Sequence, residues 1–465
     1  MNDRKADFLG EERIVPLLFK LGIPAAVGML VNALYNVVDT IFVGQGVGSL
    51  AIAALAIVFP IQIIVSAFAQ ALGAGAASIM SRRLGEKRPE DAARTAGGTL
   101  GLVTGITILL SVLLVLFCDP VLRFFGASTA ILPYARDYLL IVGSGFPLYT
   151  LSMAASTLLR AEGNTKASMF GMVLGAGLNC FLDPLLIFAI PMGVKGAAIA
   201  TVISQLSSTV FLLQLYIRKR TVVRITFKSL RPRWSIFRES AVLGFPSFVQ
   251  SAGMSLLALI MNNNLGRYGG DQAITIYSMV QRLNSIVILP LIGIAQGFQP
   301  VAGYNYGAHR YDRVKTALRD ASLIALGVAL LGWAVMEVFP AACMGLFTPD
   351  AGLRRAAGSV LRVMVLLVPT AAFQIIGSNY FLAVGKAMRT FFLGLLRQFI
   401  LLIPLALVLP LFFGLGGIWW AFPLADVASA SITMTVVFLE LRHLGEKHEA
   451  RNLERRAEEA AATKA

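Results

Sequence analysis

Residues 16–43 read PLLFKLGIPAAVGMLVNALYNVVDTIFV. At a helical rise of about 1.5 Å per residue the run is long enough to cross about 30 Å of hydrocarbon, yet it contains a carboxylate, Asp39. Burying an ionisable group at that depth costs about 2.5–3.5 kcal/mol on insertion scales, which marks Asp39 as a functional candidate. The start of the run returns later in the chain. Leu21-Gly22-Ile23-Pro24 reappears as Leu243-Gly244-Phe245-Pro246, inside SAVLGFPSFVQSAGMSLLALIMNNNL (240–265). The same interval relates Gly85 to Gly307, Phe146-Pro147 to Val368-Pro369, and Gly163 to Gly385. A long-period internal match of this kind is the mark of a duplicated fold.

Ten further stretches of similar length complete a set of twelve: about 16–43, 51–80, 95–117, 137–159, 167–189, 196–217, 240–265, 273–301, 317–343, 358–384, 390–413 and 415–441. With 57% hydrophobic and 14% charged residues and a mean hydropathy of +0.74, the 465-residue chain is far from a soluble domain, where about 25% of residues are charged. It is read as an all-α polytopic membrane protein, its twelve transmembrane helices forming two parallel-repeat six-helix bundles. Six is even, so both halves start on the same side and are related by an axis along the membrane normal. The division expected is an N-lobe at 1–217, an inter-lobe linker at 218–239, a C-lobe at 240–441, and a charged tail at 442–465 to which no fold is assigned.

The net charge of +15 follows topology. About 31 of the Lys and Arg residues fall on the side of the termini and about six opposite, which places both termini in the cytoplasm; the location expected is a bacterial inner membrane. No aromatic-studded basic face points to nucleic acid. The N-terminal apolar stretch is too long for a signal-peptide core and is read as a retained first span. Cys118 and Cys343 fall near the outer span ends, where a disulfide could form; with Cys180 they read more simply as small apolar residues.

A second carboxylate, Asp183, lies in span five. Asn179 is one turn earlier on the same face, and Pro184 follows, unable to donate a backbone hydrogen bond, which frees the carbonyl of Cys180. Asp39, Asp183 and Thr201 all lie about 8 Å below the outer helix ends, so their oxygens can converge on a small hard cation or a proton. One repeat interval further on, Asp39, Asn179 and Asp183 are replaced by Met261, Leu401 and Leu405: the acidic cluster belongs to one lobe. Tyr138 opens span four, where an interfacial anchor is the simple reading.

In the second lobe, Met254, Met261, Met279, Gln281 and Arg282 suggest a cavity lining able to accept bulky apolar ligands. Arg397 and Asp426 approach the midplane from opposite sides, as an ion pair joining two helices or as a substrate-facing set; Glu337 lies near the outer end of span nine. No Gly-x-x-x-x-Gly-Lys-Ser/Thr loop is present, and His309, His443 and His448 fall in cytoplasmic segments without a His-Glu-x-x-His motif. The chain is therefore not read as an enzyme, needs no cofactor, and is expected to act as a monomer on small organic molecules in contact with membrane lipid.

With these residues in view, the chain resembles the multidrug and toxic compound extrusion (MATE) transporters over about residues 12–442. The resemblance rests on Val38-Asp39-Thr40-Ile41-Phe42-Val43-Gly44, on Asn179-Cys180-Phe181-Leu182-Asp183-Pro184, on Gly193-Val194-Lys195-Gly196-Ala197-Ala198 and on the twelve-span duplication. It implies antiport of Na⁺ or H⁺ against organic, often cationic, drugs by alternating access. It further implies that Asp39, Asn179, Asp183 and Thr201 form the coupling-ion site, that Tyr138 belongs to the neighbouring network, and that Pro24 is a hinge in span one. Spans seven and ten lack the acids some members carry, which argues against a second ion site. The same layout could serve a flippase for lipid-linked saccharides or lipids, but only Arg282, Arg362 and Arg397 lie within spans to hold a pyrophosphate.

Overall fold

The computed structural model describes residues 4–218, 220–226, 229–230 and 234–462, with side chains described except at 4–6, 36–37, 49, 255 and 446–462. Linker positions 219, 227–228 and 231–233, and the tail side chains from 446 onward, including His448, lie outside the described residues. Among the described residues every regular element is a helix.

In chain order these are α1 (Arg4–Glu11), α2 (Ile14–Gly46), α3 (Ser49–Gly85), α4 (Pro89–Leu116), α5 (Cys118–Phe124), α6 (Leu132–Ala161), α7 (Thr165–Pro184), α8 (Val194–Ile217), α9 (Trp234–Gly307), α10 (Tyr311–Val338), α11 (Pro340–Gly345), α12 (Ala351–Val365), α13 (Ala371–Ala383), α14 (Ala387–Leu395) and α15 (Ile403–Ala462). The two longest runs each break in two, and the first piece of α15 completes a crossing that α14 begins, the two being joined through a π turn at Leu396–Leu402. α9 breaks at Gly270 (φ 62°, ψ −163°) and α15 at Gly414 (φ 56°, ψ −142°), conformations open in practice only to glycine. With α12 and α13 joined through a 3₁₀ turn at Val368–Thr370, twelve crossings result.

Three expectations need correction. Span ten is not one helix, because Pro369 interrupts its backbone ladder. α9 begins at Trp234, inside the segment read as linker. The tail continues α15 as helix to Ala462; a sequence rich in Ala, Glu and Arg favours helix without needing an apolar face. Its root is held by Glu440, which is buried and ion-paired with Lys386 and Arg389 beside α14.

The duplication is written in the backbone. Residues with positive φ recur in pairs: Gly48 with Gly270, Lys87 with His309, Gly163 with Gly385, and Gly193 with Gly414. The first three pairs keep the interval of the sequence repeat, and the fourth falls one position short of it. The packing obeys the same symmetry. A Cβ on Gly85 would stand 2.0 Å from the Tyr304 carbonyl oxygen, and one on Gly307 would stand 2.1 Å from that of Arg82. Gly244 meets Ala71 while its repeat partner Gly22 meets Ile294. Each half thus passes its first two helices against those of the other half at the end that bears the termini.

At that end a single apolar core runs through both halves, from Leu17, Met80 and Leu158 to Phe298, Tyr380 and Leu444. The far end of the first half has a separate core, including Val43, Ala54, Tyr138 and Ala198, with no described residue from the second half. The halves are therefore closed on each other at the terminal end and parted at the opposite one. α1 reinforces the closure. Its last carbonyls accept hydrogen bonds from Asn305 (2.9 Å, to Leu9) and Arg310 (2.7 Å, to Gly10), and the Arg313 guanidinium reaches the carbonyl of Glu12 (2.6 Å), satisfying groups a helix C-terminus leaves without partners. Large apolar side chains such as Leu116, Leu331 and Phe412 stay exposed on the outside, as lipid-facing positions do.

Candidate functional site

Small residues bring the site helices together. α7 and α8 run antiparallel, and Ser208 Oγ donates to the Gly171 carbonyl (2.8 Å) while Gly175 faces Ser204 and Ser208. One turn further along, the same alignment sets Asn179 opposite Thr201. α2 lies along α7, with Gly28 against Met172 and Gly46 against Ile187, and this carries Asp39 to the level of Asp183. After Pro184 the helix widens into a π turn, Leu185–Ala189, the local adjustment expected where proline removes a helical hydrogen bond. Gly196 lets α8 start against the Leu186 carbonyl of that turn.

Asp39, Asn179, Asp183, Thr201 and Tyr138 are all buried and all meet. Asn179 Nδ2 donates to Asp183 Oδ1 (3.2 Å). The Asp39 and Asp183 carboxyls are close enough to influence each other directly. The Tyr138 side chain lies near Gln62 of α3 and Thr201 and is buried in the core of this end, so Tyr138 is an interior residue beside the cluster and not the interfacial anchor its position suggested. Thr201 Oγ1 donates to its own helix at the Ala197 carbonyl (2.9 Å), leaving its lone pairs available. Three oxygens of the cluster are buried without a partner among the described residues: Asp39 Oδ1, Asn179 Oδ1 and Asp183 Oδ2. Buried polar atoms are seldom left so, and three acceptor oxygens from two acids and an amide are the donor set a hard monovalent cation or a proton would satisfy. In the second half, Met261 is fully buried in the common core and Leu401 and Leu405 pack on it, so these positions form no counterpart of the cluster.

Between the halves lies a cavity of about 760 Å³, within the size range of sites for drug-sized ligands. Its wall includes Tyr35, Asn179 and Thr201 near the parted end, Gln281, Gln296 and Gln374 along its length, and Arg160 and Arg397. Asn179 and Thr201 belong to both the acidic cluster and the cavity wall. Of the expected lining residues, Met254 and Gln281 are present. Met261 and Met279 are not: both are buried in the core, Met261 two turns further along the face that carries Met254. Arg282 is exposed away from it, one residue from Gln281 and about 100° around the helix. Pro24 lies within α2, two residues from the Gly22 crossing. Arg397 Nε donates to Asp426 Oδ1 at 2.5 Å, with Asp426 buried; the pair exists, and its arginine also faces the cavity. Glu337 offers its carbonyl to Arg362 Nε (3.2 Å), and Arg362 is exposed outside the cavity. Cys118, Cys180 and Cys343 are free thiols.

Three participants escaped sequence reasoning. Tyr35, one turn before Asp39, stands near both carboxylates; its spacing was the available signal. Gln62 is a lone amide in an apolar stretch of α3. Arg160 lies one residue past the expected end of span four.

Comparison with known proteins agrees with this architecture. The family model described as MatE matches the chain twice, over residues 24–185 and 246–408, two matches whose starts are separated by the interval seen in the backbone. Among curated proteins, the multidrug export protein MepA of Staphylococcus aureus (strain MSSA476) is 27% identical over 443 residues, 94% of this chain and 97% of that protein. Among solved structures, one of MATE in the straight conformation superposes with a TM-score of 0.89 at 26% identity, covering 95% of this chain and 99% of its own. One of the outward-facing conformation of a multidrug resistance MATE family transporter of the MOP superfamily gives 0.87 at 27%, covering 93% and 99%. The duplicated helical fold and both family matches lead to one conclusion: this multi-pass membrane protein belongs to the MatE family, whose members are transporters and not enzymes.

Proposed function

We propose that the protein is a secondary active multidrug exporter that exchanges Na⁺ or H⁺ for small organic molecules by alternating access, in a bacterial inner membrane with both termini cytoplasmic and as a monomer. One observation carries this reading: the orphaned oxygens of Asp39, Asn179 and Asp183 converge in a buried pocket, and two residues of that pocket region also line the central cavity. An ion entering from the parted end, Na⁺ or a proton, supplies the missing partner. Two carboxylates in low dielectric repel each other, and a bound positive charge relieves that repulsion. Asp39 sits on α2, so a changed α2–α7 contact moves the helix that carries Pro24 and crosses the other half at Gly22. Asn179 and Thr201 sit on the cavity wall, so ion and exported molecule meet a common surface, and exchange requires that the two favour different states.

A flippase for lipid-linked saccharides is the weaker reading, since the described cavity wall carries only Arg160 and Arg397 as cations, and Asp426 neutralises the second. In substrate-loaded proteoliposomes, Asp39→Asn and Asp183→Asn should each abolish gradient-driven efflux while leaving equilibrium binding of the same substrate within about threefold, which is about 0.65 kcal/mol. Wild-type efflux from both variants would overturn the proposal.

A further inference from the structure

Among the described residues the cavity wall contains no Asp or Glu, and of its two arginines only Arg397 has a carboxylate. Arg160, on the last turn of α6, has none within ion-pair distance among the described residues. Its NH1 donates to Ser156 Oγ (3.0 Å) and Ser168 Oγ (2.9 Å), and its NH2 to Thr157 Oγ1 (2.8 Å). All three partners are neutral hydroxyls. The acid nearest in sequence, Glu162, is turned to the linker, where it accepts from the backbone N–H groups of Val222 and Val223 (3.1 Å each). A guanidinium has five N–H donors, so this one is held in place by three bonds and keeps donors and a full positive charge for the cavity. A guanidinium enclosed by neutral hydroxyls has no counter-charge, and an anion is the partner that supplies one with the strongest hydrogen bonds.

We propose that Arg160 is the binding residue for an anionic group, a planar carboxylate in the first instance, of the exported molecule. The protein's preferred substrates are then organic anions and zwitterions and not simple organic cations. The inference rests on the transport reading above and assigns its substrate class. Other features of the wall agree. Gln205 Oε1, Asn284 Oδ1, Gln299 Nε2 and Gln398 Oε1 are buried polar atoms of this wall without a partner among the described residues, able to bond a polar body beside the carboxylate. The acidic cluster does not oppose the anion: Tyr138, which lies beside it, is on the same helix as Arg160 but about 33 Å away at about 1.5 Å per residue, a separation at which the Coulomb interaction is small at the effective dielectric of a protein. One free guanidinium also fits a single carboxylate better than a pyrophosphate.

The test uses three probes of nearly equal size on the full-length protein in nanodiscs: a dansylated amino acid, its neutral primary amide, and a cationic alkylamine made by dansylating one end of a diamine and leaving the other amine protonated. Wild type should bind the carboxylate at least about tenfold tighter than the amide, in line with a charge-assisted, two-pronged hydrogen bond. Arg160→Gln should remove that preference while the amide still binds within about twofold, which also reports that the variant is folded. Arg160→Lys keeps the charge but not the fork and should retain part of the preference. Equal wild-type binding of carboxylate and amide, tighter binding of the alkylamine, or a preference that survives in Arg160→Gln would overturn the proposal. If Arg160→Gln does not fold, the wild-type comparison and Arg160→Lys decide. Asp183→Asn separates this inference from the transport reading: it should abolish ion-driven efflux and leave the carboxylate preference intact.

Discussion

The closed end of the molecule is held by glycines whose replacement has a calculable effect. Gly85 and Gly307 are repeat partners, and an added Cβ would approach a carbonyl oxygen of the other half to 2.0 and 2.1 Å, where ordinary contact begins at 3.4 Å. Gly307→Ala thus requires the two halves to part locally by about 1.3 Å, and Gly85→Ala by about 1.4 Å. Overpacking of this kind costs about 1–3 kcal/mol. A cost of about 2 kcal/mol borne by the closed arrangement alone shifts the balance roughly 30-fold, so a 99:1 population becomes roughly 77:23. Spin labels at Glu90→Cys and Met388→Cys, in a background lacking the native cysteines, report the separation of the halves at this end. A second, longer-distance population should appear in both variants. Gly105→Ala and Gly327→Ala, where a Cβ meets nothing within 4 Å, should not produce it. Unchanged distances in both Gly85→Ala and Gly307→Ala would defeat the idea that these crossings keep the end closed.

Other consequences can be checked by thermal unfolding and by the same label pair. Arg397→Leu leaves the buried Asp426 without its partner and should destabilise by about 3–5 kcal/mol; Arg397→Leu with Asp426→Leu should recover most of that loss, and failure to recover would mean the arginine acts through something other than the pair. Gly270→Ala forces a side chain into a glycine conformation and should cost about 1–3 kcal/mol; a neutral result would place the break between the two crossings elsewhere. Arg313→Ala removes the hydrogen bond to Glu12 and should cost about 1 kcal/mol, seen as wider separation of the halves at the terminal end. No change there would show that α1 is not part of the closure.

Much of this molecule was readable from residues alone, for identifiable reasons. Charge in hydrocarbon is so costly that Asp39 and Asp183 stood out, and a one-turn spacing tied Asn179 to Asp183. The constant repeat interval, as between Gly85 and Gly307, implied the two-half arrangement, and it reappears in the backbone at Gly48 and Gly270, and at Lys87 and His309. What escaped depends on neighbours that pattern does not encode. Met261 and Met279 have the composition of a ligand surface, but only the packing of α9 decides which of its positions reach the cavity and which are buried in the core. Tyr138 was placed at an interface because depth was known and partners were not. Arg160 was missed because α6 runs to Ala161, past the end that hydropathy suggested. The tail carries no apolar stripe to mark it as a packed helix, whereas α15 continues through it on intrinsic propensity.

The exchange mechanism stands on ion and substrate sharing one cycle through the Asp39–Asp183 pocket. Vesicles with no imposed ion gradient, given a steep outward substrate gradient, allow this to be read directly by following ²²Na⁺ and internal pH together. Substrate leaving through the protein should draw one of the two ions inward, at fixed stoichiometry in wild type and not at all in Asp183→Asn. Substrate movement with neither ion responding, or an ion response undiminished in Asp183→Asn, would contradict it.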